Sequence, residues 1–120
     1  MIRVMNLVEK FSAFNETWSP RIAGELNDSY VKLAKIHGAF VWHHHEEEDE
    51  MFLVVKGSFT MKLRDGDLQV SEGEFVIIPR GMEHMPVADD ECWIMLLEPR
   101  TTLNTGNVVE ERTKTEDEWV

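Results

Sequence analysis

The middle of the chain holds three histidines followed directly by five acidic residues, His43-His44-His45-Glu46-Glu47-Glu48-Asp49-Glu50. Imidazole nitrogens and carboxylate oxygens are the donors with which proteins bind divalent transition metals. The run therefore indicates either a metal site or a solvated, charged loop. Spacing within the run, and the elements on either side of it, bear on which interpretation holds.

Residue spacing selects four candidate metal ligands, three from this run and one from later in the chain. His43 and His45 are two apart, so on a strand they point to the same face, while His44 points away to solvent. Glu50 opens the following strand and can approach the same point from there. His84 begins another strand far along the chain, after a turn that ends in Gly81.

Three histidines and one carboxylate would leave two positions open on an octahedral ion. This donor set suits Mn, Fe, Ni, Co or Zn, whereas Ca and Mg prefer oxygen ligands throughout. Two alternatives stay open: a pocket that keeps these polar residues without a metal, and Glu47 or Glu48 in the place of Glu50. The residues from Glu46 to Asp49 are expected to form a solvated loop that attracts cations toward the site.

The N-terminal region carries the pattern of one short helix. Leu7, Val8, Phe11 and Phe14 form a single apolar stripe at helical spacing, and Asn6 resembles an N-cap. The pattern predicts a helix over about residues 7–13, ended before Pro20, since a proline disfavours helical backbone at the preceding residue.

From Arg21 onward the apolar residues alternate with polar ones. The alternation predicts short strands separated by turn-forming residues, at 22–26, 30–37, 40–42, 51–55, 59–63, 68–70, 75–78, 85–87 and 92–97. Asp65-Gly66 between two alternating runs is typical of a hairpin. Many short strands with glycine-containing turns predict an all-β sandwich or barrel.

The alternation stops at about Pro99, so the sequence predicts one domain over residues 1–100 and a tail over 101–120. The tail is polar, with one short edge strand expected at Val108-Val109. Trp119 near its end is expected either to dock on a neighbouring subunit or to belong to a frayed terminus.

Composition limits the class of protein and its partners. An apolar fraction of 42% and a charged fraction of 29% are those of a soluble globular domain. The net charge of −11 argues against a nucleic-acid partner and against an anionic membrane surface. Cys92 is the single cysteine and is expected to be a small buried residue, which fits a reducing compartment. With no apolar leader segment and no membrane-spanning run visible, we expect a cytoplasmic protein.

Two ordered motifs resemble those of the cupin superfamily. Gly38-x4-His43-x-His45-x4-Glu50-x6-Gly57 resembles the first cupin motif, and Gly73-x5-Pro79-x-Gly81-x2-His84 resembles the second. Fifteen residues separate them, which is similar to small single-domain bacterial cupins of the mannose-6-phosphate-isomerase-like group. The resemblance implies a jelly-roll β-barrel of six to eleven strands with His43, His45, Glu50 and His84 as metal ligands.

The chain departs from the cupin pattern at two positions. Four residues rather than the usual five lie between Gly38 and His43, which concerns only a turn. Ala88 stands where the second motif often has an asparagine, which removes a polar residue from the wall of the site.

Residues that share the parity of the ligands should form the wall of the pocket. They are mostly apolar: Val41, Phe52, Val54, Pro86 and Ala88. The parity places no lysine or arginine on this wall, although a phosphosugar would need such a cation. The isomerase name of the group is therefore not taken as the activity.

A metal in an apolar cup could act as a Lewis acid toward a small oxygen-rich molecule. The first hypothesis is accordingly a metal-dependent enzyme, an isomerase or a dioxygenase. The alternative is a non-catalytic module that binds or senses a small molecule, and a storage cupin is disfavoured by the intact ligand set. Outward-facing Trp42, Met51 and Leu53 predict a homodimer.

Overall fold

The fold is organised around two long antiparallel strands that pair along most of their length. The computed structural model describes residues 2–120, which form one short helix and eight strands. In chain order these elements are α1 (Leu7–Ser12), β1 (Arg21–Leu26), β2 (Ser29–Ala39), β3 (Glu50–Lys56), β4 (Ser58–Leu63), β5 (Gly66–Ser71), β6 (Phe75–Ile78), β7 (His84–Pro99) and β8 (Glu118–Trp119). The prediction of a mostly β chain with a single short helix is confirmed.

Strand β7 pairs with three other strands and thereby joins the two halves of the sheet. The hydrogen-bonded order runs β5-β4-β7-β2-β1-β8, and β3 pairs with both β6 and β7. The first part of β7 pairs with β4 and its later part with β3. Within residues 2–120, the end strands β5 and β8 do not pair with each other. Strand β2 pairs with both parts of β7, which holds them in one continuous ladder.

The sequence predicted two strands, 85–87 and 92–97, where β7 runs without a break, so the turn expected between them is wrong. Strand β2 pairs with β7 on both sides of this point, with Gly38 opposite Ala88 and Ile36 opposite Cys92. Three residues of β7 therefore face the single residue His37, which makes a bulge. The turn-forming residues supply this bulge instead of ending the strand.

Helix α1 packs on the outer face of the sheet. The Asn6 side chain accepts a hydrogen bond from the Glu9 backbone N–H at 3.0 Å, which caps the helix as its sequence predicts. Phe11 is fully buried and stacks on Trp93 with ring centroids 4.8 Å apart. Burial of such a ring stabilises the packing by roughly 1.5–3 kcal/mol. No helix within residues 2–120 is both long enough and apolar enough to cross a membrane.

The main core lies on the inner face, between the two halves of the sheet. Its fully buried members include Val54, Phe59, Met61 and Cys92. Burial raises the pKa of the Cys92 thiol to about 11, so this cysteine stays protonated and acts as a small apolar side chain.

After β7 the chain continues as turns until it reaches β8. Residues 100–117 contain no strand or helix, so the edge strand expected at Val108-Val109 is wrong. The strand of the tail is β8, which pairs in parallel with β1. Trp119 contacts Tyr30 edge-on with centroids 5.8 Å apart and remains 57% exposed. Docking of Trp119 on another subunit, and the domain boundary at residue 100, stay predictions.

Candidate metal centre

Two strands begin at candidate ligands, and a loop brings the other two beside them. Glu50 is the first residue of β3, and His84 is the first residue of β7. His43 and His45 lie in the loop between β2 and β3, where the sequence predicted a strand at 40–42. That strand is absent. Instead, the backbones of His43 and His84 exchange two hydrogen bonds of 2.9 and 3.1 Å, which fix the loop against β7.

The four candidate ligands converge in the interior. One donor atom from each of His43, His45, Glu50 and His84 lies within 4.8 Å of every other. All four side chains are buried, with exposed fractions between 0% and 4%. The Nε2 atoms of His45 and His84 lie 2.8 and 3.3 Å from Glu50 Oε1, yet among the described residues none of these three atoms forms a hydrogen bond.

Backbone carbonyls orient two of the imidazole rings. His43 Nδ1 donates to the carbonyl of Val41, and His84 Nδ1 donates to the carbonyl of Met82, each at 2.9 Å. A hydrogen bond at Nδ1 fixes the tautomer that leaves the Nε2 lone pair free, which is the usual support for a metal-binding histidine. The backbone on either side of these residues therefore presets the direction of the donor atoms.

Burial and neighbouring groups keep His43 and Glu50 in the protonation states that metal binding requires. Burial, together with the nearby His84, lowers the pKa of His43 to about 4. Burial alone would raise the pKa of Glu50, but the His45 and His84 rings beside it hold that pKa well below its usual range. At neutral pH the site accordingly offers a neutral His43 and an ionised Glu50.

The donor set fits a transition metal. Three nitrogens and one carboxylate oxygen match the ligands preferred by Mn, Fe, Co, Ni or Zn. Buried polar atoms without hydrogen-bond partners are uncommon in proteins. Coordination of a metal ion would give partners to His45 Nε2, His84 Nε2 and Glu50 Oε1. The site could therefore hold a metal ion, and its donors do not by themselves distinguish among these elements.

A cavity of about 40 Å³ adjoins the donors. Its wall is largely apolar and is formed by Trp18, Pro20, Ala34, Ile36, Phe40, His43, Glu50, Phe52, Pro86, Ile94, Leu96, Glu98 and Asn104. Of the five wall residues that parity suggested, Phe52 and Pro86 line it. Val54 and Ala88 lie in the main core, and Val41 is half-buried outside the cavity lining.

Glu98 is a polar wall residue that the sequence reasoning missed. It lies one position beyond the Met51–Leu97 pair, beside Glu50, and its Oε2 atom has no hydrogen-bond partner in the described part of the chain. Burial and the neighbouring Glu50 carboxylate raise the pKa of Glu98 well above its usual range. Its even position on β7, in phase with His84, was the pattern that could have identified it.

Lys32 forms a buried ion-pair cluster behind Glu98. Its ammonium lies 3.7 Å from Glu98 Oε1 and 2.7 Å from Asp117 Oδ2, and both Lys32 and Glu98 side chains are 3% exposed. Although burial alone would lower it, these carboxyls raise the pKa of Lys32. Counting Glu50, three carboxyl groups and one ammonium lie close together in this region, so their protonation states depend on one another.

The acidic run outside the site behaves as a surface loop. Glu46, Glu47 and Asp49 are exposed, and Glu48 is half-buried. His44 points away from the other histidines and pairs through Nε2 with Glu46. In this structure Glu50, not Glu47 or Glu48, is the carboxylate that joins the three histidines.

Fold and site together define a small β-domain with a buried donor set of three histidines and one glutamate. The chain belongs to the Cupin_2 family, whose model, described as a cupin domain, matches residues 29–98. The match confirms the resemblance that the two motifs indicated, and it assigns no specific activity.

Individual proteins support the same conclusion. The chain is 47% identical to a cupin-2 domain protein from Shewanella frigidimarina of known crystal structure, which covers 81% of this chain and 95% of that one with a TM-score of 0.80. A Neisseria meningitidis protein of known structure is 28% identical, covering 81% of this chain and 99% of its own, with a TM-score of 0.75. The uncharacterised Bacillus subtilis protein YdbB is 31% identical over 85 residues, or 70% of this chain and 75% of YdbB.

Removing one ligand should abolish tight metal binding. We expect His45→Ala to weaken the affinity for Co²⁺ or Zn²⁺ by more than the roughly 10–100-fold that loss of an outer-shell partner costs. His44→Ala is the matched control, because its ring lies outside the donor set, and it should retain the affinity. Competition against a chromophoric chelator measures both. Equal losses in the two variants would show that the donor assignment is wrong.

Lys32 is expected to matter for stability because its removal leaves buried carboxyls uncompensated. Lys32→Met should lower the free energy of unfolding by about 3–5 kcal/mol in urea titrations. Lys62→Met is the control, since Lys62 and Asp67 form a partly exposed pair at 3.8 Å, and it should cost less than about 1 kcal/mol. Similar costs for the two variants would contradict the role assigned to the buried cluster.

Proposed function

We propose that this protein binds one divalent transition metal through His43, His45, Glu50 and His84 and uses it to act on a small oxygen-rich molecule. We further infer that the strands close as a jelly-roll barrel around this site, as in the family to which the chain belongs. The carrying observation is the convergence of four buried donor side chains, two of which, His43 and Glu50, line a largely apolar cavity.

The apolar wall supports a reaction that excludes water, while the few polar groups support selection of the ligand. A bound metal with open positions would supply Lewis-acid chemistry toward carbonyl and hydroxyl oxygens. Glu98 lines the cavity, and its carboxyl group is the polar group there that can hydrogen-bond a hydroxyl group of the ligand. Phe52 and Leu96 restrict the remaining space to a compact molecule.

An enzyme, an isomerase or a dioxygenase, is the first candidate, and a binding or sensing module is the second. The free carboxyl oxygen of Glu98 favours the enzyme, because a polar group beside the metal can orient a reacting hydroxyl. A compact, largely apolar cavity also suits a binding module for a small ligand. We propose that the protein works in the cytoplasm, with a small molecule as its partner rather than nucleic acid or a membrane.

Metal analysis followed by a turnover screen tests this function. We expect about one equivalent of transition metal per chain after loading and dialysis, measured by elemental analysis, and under a tenth of that in His45→Ala. The loaded protein should then exchange protons beside a carbonyl in D₂O, or consume O₂, with at least one small hydroxycarbonyl compound. Metal binding with tight ligand binding but no turnover would support the sensing module, and absence of metal binding would refute both.

We also propose that the protein is a homodimer that pairs through the outer face of β3 and β6. Met51 lies opposite Ile77 and Leu53 opposite Phe75, so four apolar side chains form one patch. Phe75 and Ile77 are 59% and 55% exposed, at a level unusual for neighbouring large apolar residues on a stable surface. Trp42, which the sequence suggested for the same interface, is instead covered by the Arg64 guanidinium at 3.8 Å.

Charge placed in this patch should separate the subunits. We expect Ile77→Glu to shift the sedimentation coefficient from that of a dimer to that of a 14.0 kDa monomer. Leu68→Glu introduces the same charge at an exposed apolar position on β5 and should leave the dimer intact. A wild-type protein that sediments as a monomer at micromolar concentration would rule out this interface.

A further inference from the structure

The cavity beside the donors is too small for an organic ligand. Its volume of about 40 Å³ has room for only about three water molecules. Pockets that bind small molecules usually measure roughly 300–1,000 Å³. Asn104 closes part of this cavity and comes from the segment that follows β7. A ligand larger than a few atoms therefore requires part of the wall to move, and this segment is the candidate.

Residues 101–113, here called the capping loop, hold themselves together through their own side chains. Asn104 Nδ2 donates to the carbonyl of Arg112, and Asn104 Oδ1 accepts from the backbone N–H of Lys114, both at 2.8 Å. The hydroxyls of Thr105 and Thr113 lie 2.7 Å apart, and Thr105 is fully buried. Loops closed in this way are compact units whose ends lie close together. The capping loop can therefore move as one body.

Arg112 is the main contact between the capping loop and the rim of the cavity. Its guanidinium lies 4.8 Å from the ring centroid of Phe40 and 5.9 Å from that of Trp18. These two rings line the cavity and stack on each other at 4.5 Å. Arg112 Nη1 also donates to the carbonyl of Ala39 at 3.1 Å. One side chain thus binds the loop to both aromatic rings and to the end of β2.

A second contact joins the capping loop to the loop between β2 and β3, which carries His43, His44 and His45. The backbone N–H of His44 donates to Asn107 Oδ1 at 2.9 Å, and the backbone N–H of Asn107 donates to the carbonyl of His44 at 3.1 Å. Gly106 approaches so closely that an added Cβ would lie 2.2 Å from the His44 carbonyl oxygen and 3.1 Å from His43 Cδ2. The loop therefore closes directly over a candidate metal ligand.

These contacts are weak compared with those that hold the strands. They consist of one cation–π cluster and a few partly exposed hydrogen bonds, and Val109 of the loop remains 83% exposed. Segments with few buried apolar contacts and no strand ladder open at low free energy. At either end the chain stays fixed, by β7 on one side and by the Asp117–Lys32 pair on the other.

We propose that the capping loop is a lid latched by Arg112, and that a small oxygen-rich ligand reaches the metal when Arg112 leaves the Phe40 and Trp18 rings. The lid admits the ligand and then excludes water from the donors on closing. The identity of the ligand rests on the proposed function, whereas the opening itself is a property of the protein without metal.

Chemical modification of the buried histidines measures that opening. Diethyl pyrocarbonate reacts with exposed imidazoles, and peptide mapping locates the products on the metal-free protein. We expect Arg112→Gln to speed modification of His43 and His84 about tenfold, which corresponds to about 1.4 kcal/mol of closing interactions. Modification of the exposed His37 should not change and serves as the internal reference.

Arg64→Gln is the matched control, because Arg64 also stacks on a tryptophan, Trp42, but lies outside the capping loop. It should leave the His43 and His84 rates at the wild-type level. An equal increase in Arg64→Gln would overturn the proposal, since it would show general loosening rather than release of a latch. Unchanged rates in Arg112→Gln would overturn it as well.

Gly106→Ala tests the lid by a different route. The added methyl group collides with the His44 carbonyl, and Gly106 has a φ of +56° that disfavours alanine, so the loop should be held away from the site. We expect the same rise in His43 and His84 modification, with the unfolding temperature measured alongside to confirm that the domain is folded. Slow modification in a folded Gly106→Ala protein would contradict the lid.

Metal capture separates failure of the lid from failure of the proposed function. Stopped-flow binding of Co²⁺ should be faster in Arg112→Gln than in wild type, by a factor similar to that for histidine modification. Co²⁺ binding at equal rates in both proteins, with unchanged histidine modification, would refute the lid and leave the metal site standing. If no variant binds Co²⁺ or Zn²⁺, the proposed function fails, and the histidine rates still decide the lid.

Discussion

The continuous pairing of β2 with β7 is the constraint on which the site depends. Even-numbered side chains of β7 are buried from His84 to Ala88 and again from Cys92 to Glu98. Between these stretches three residues of β7 lie opposite one residue of β2, His37. The excess is two, and because side chains alternate with a period of two, the parity is preserved. A bulge with one extra residue would have turned either His84 or Glu98 to the outside.

Placing polar donors in this interior carries an electrostatic cost that neighbouring groups offset. The carbonyls of Val41 and Met82 satisfy one nitrogen of two rings, and the His45 and His84 rings hold Glu50 ionised. Beside them, Lys32 compensates Glu98 and Asp117 within the same region. Because buried charges are strongly destabilising when one partner is lost, these groups are energetically linked to one another. The site is therefore one electrostatic unit that includes the end of the tail.

The C-terminal segment changes how the site is understood. Asp117 pairs with the buried Lys32, Asn104 lines the cavity beside the donors, and Arg112 lies against the Phe40 ring of its wall. The domain and its tail are therefore in direct contact, although no strand or helix lies between Pro99 and Glu118. A polar, irregular segment of this kind gains its order from contacts with the folded domain rather than from local propensity.

The sequence alone determined the local features. Asn6 and the apolar stripe defined the helix, alternation located most strands, and two ordered motifs selected His43, His45, Glu50 and His84. Local sequence carries this information because capping, strand parity and tight turns depend on residues close together in the chain. The uninterrupted course of β7, the loop conformation at residues 40–42 and the contacts of Lys32, Glu98 and Arg112 were decided by tertiary structure. Each depends on pairing or burial between segments far apart in sequence, which no local pattern records.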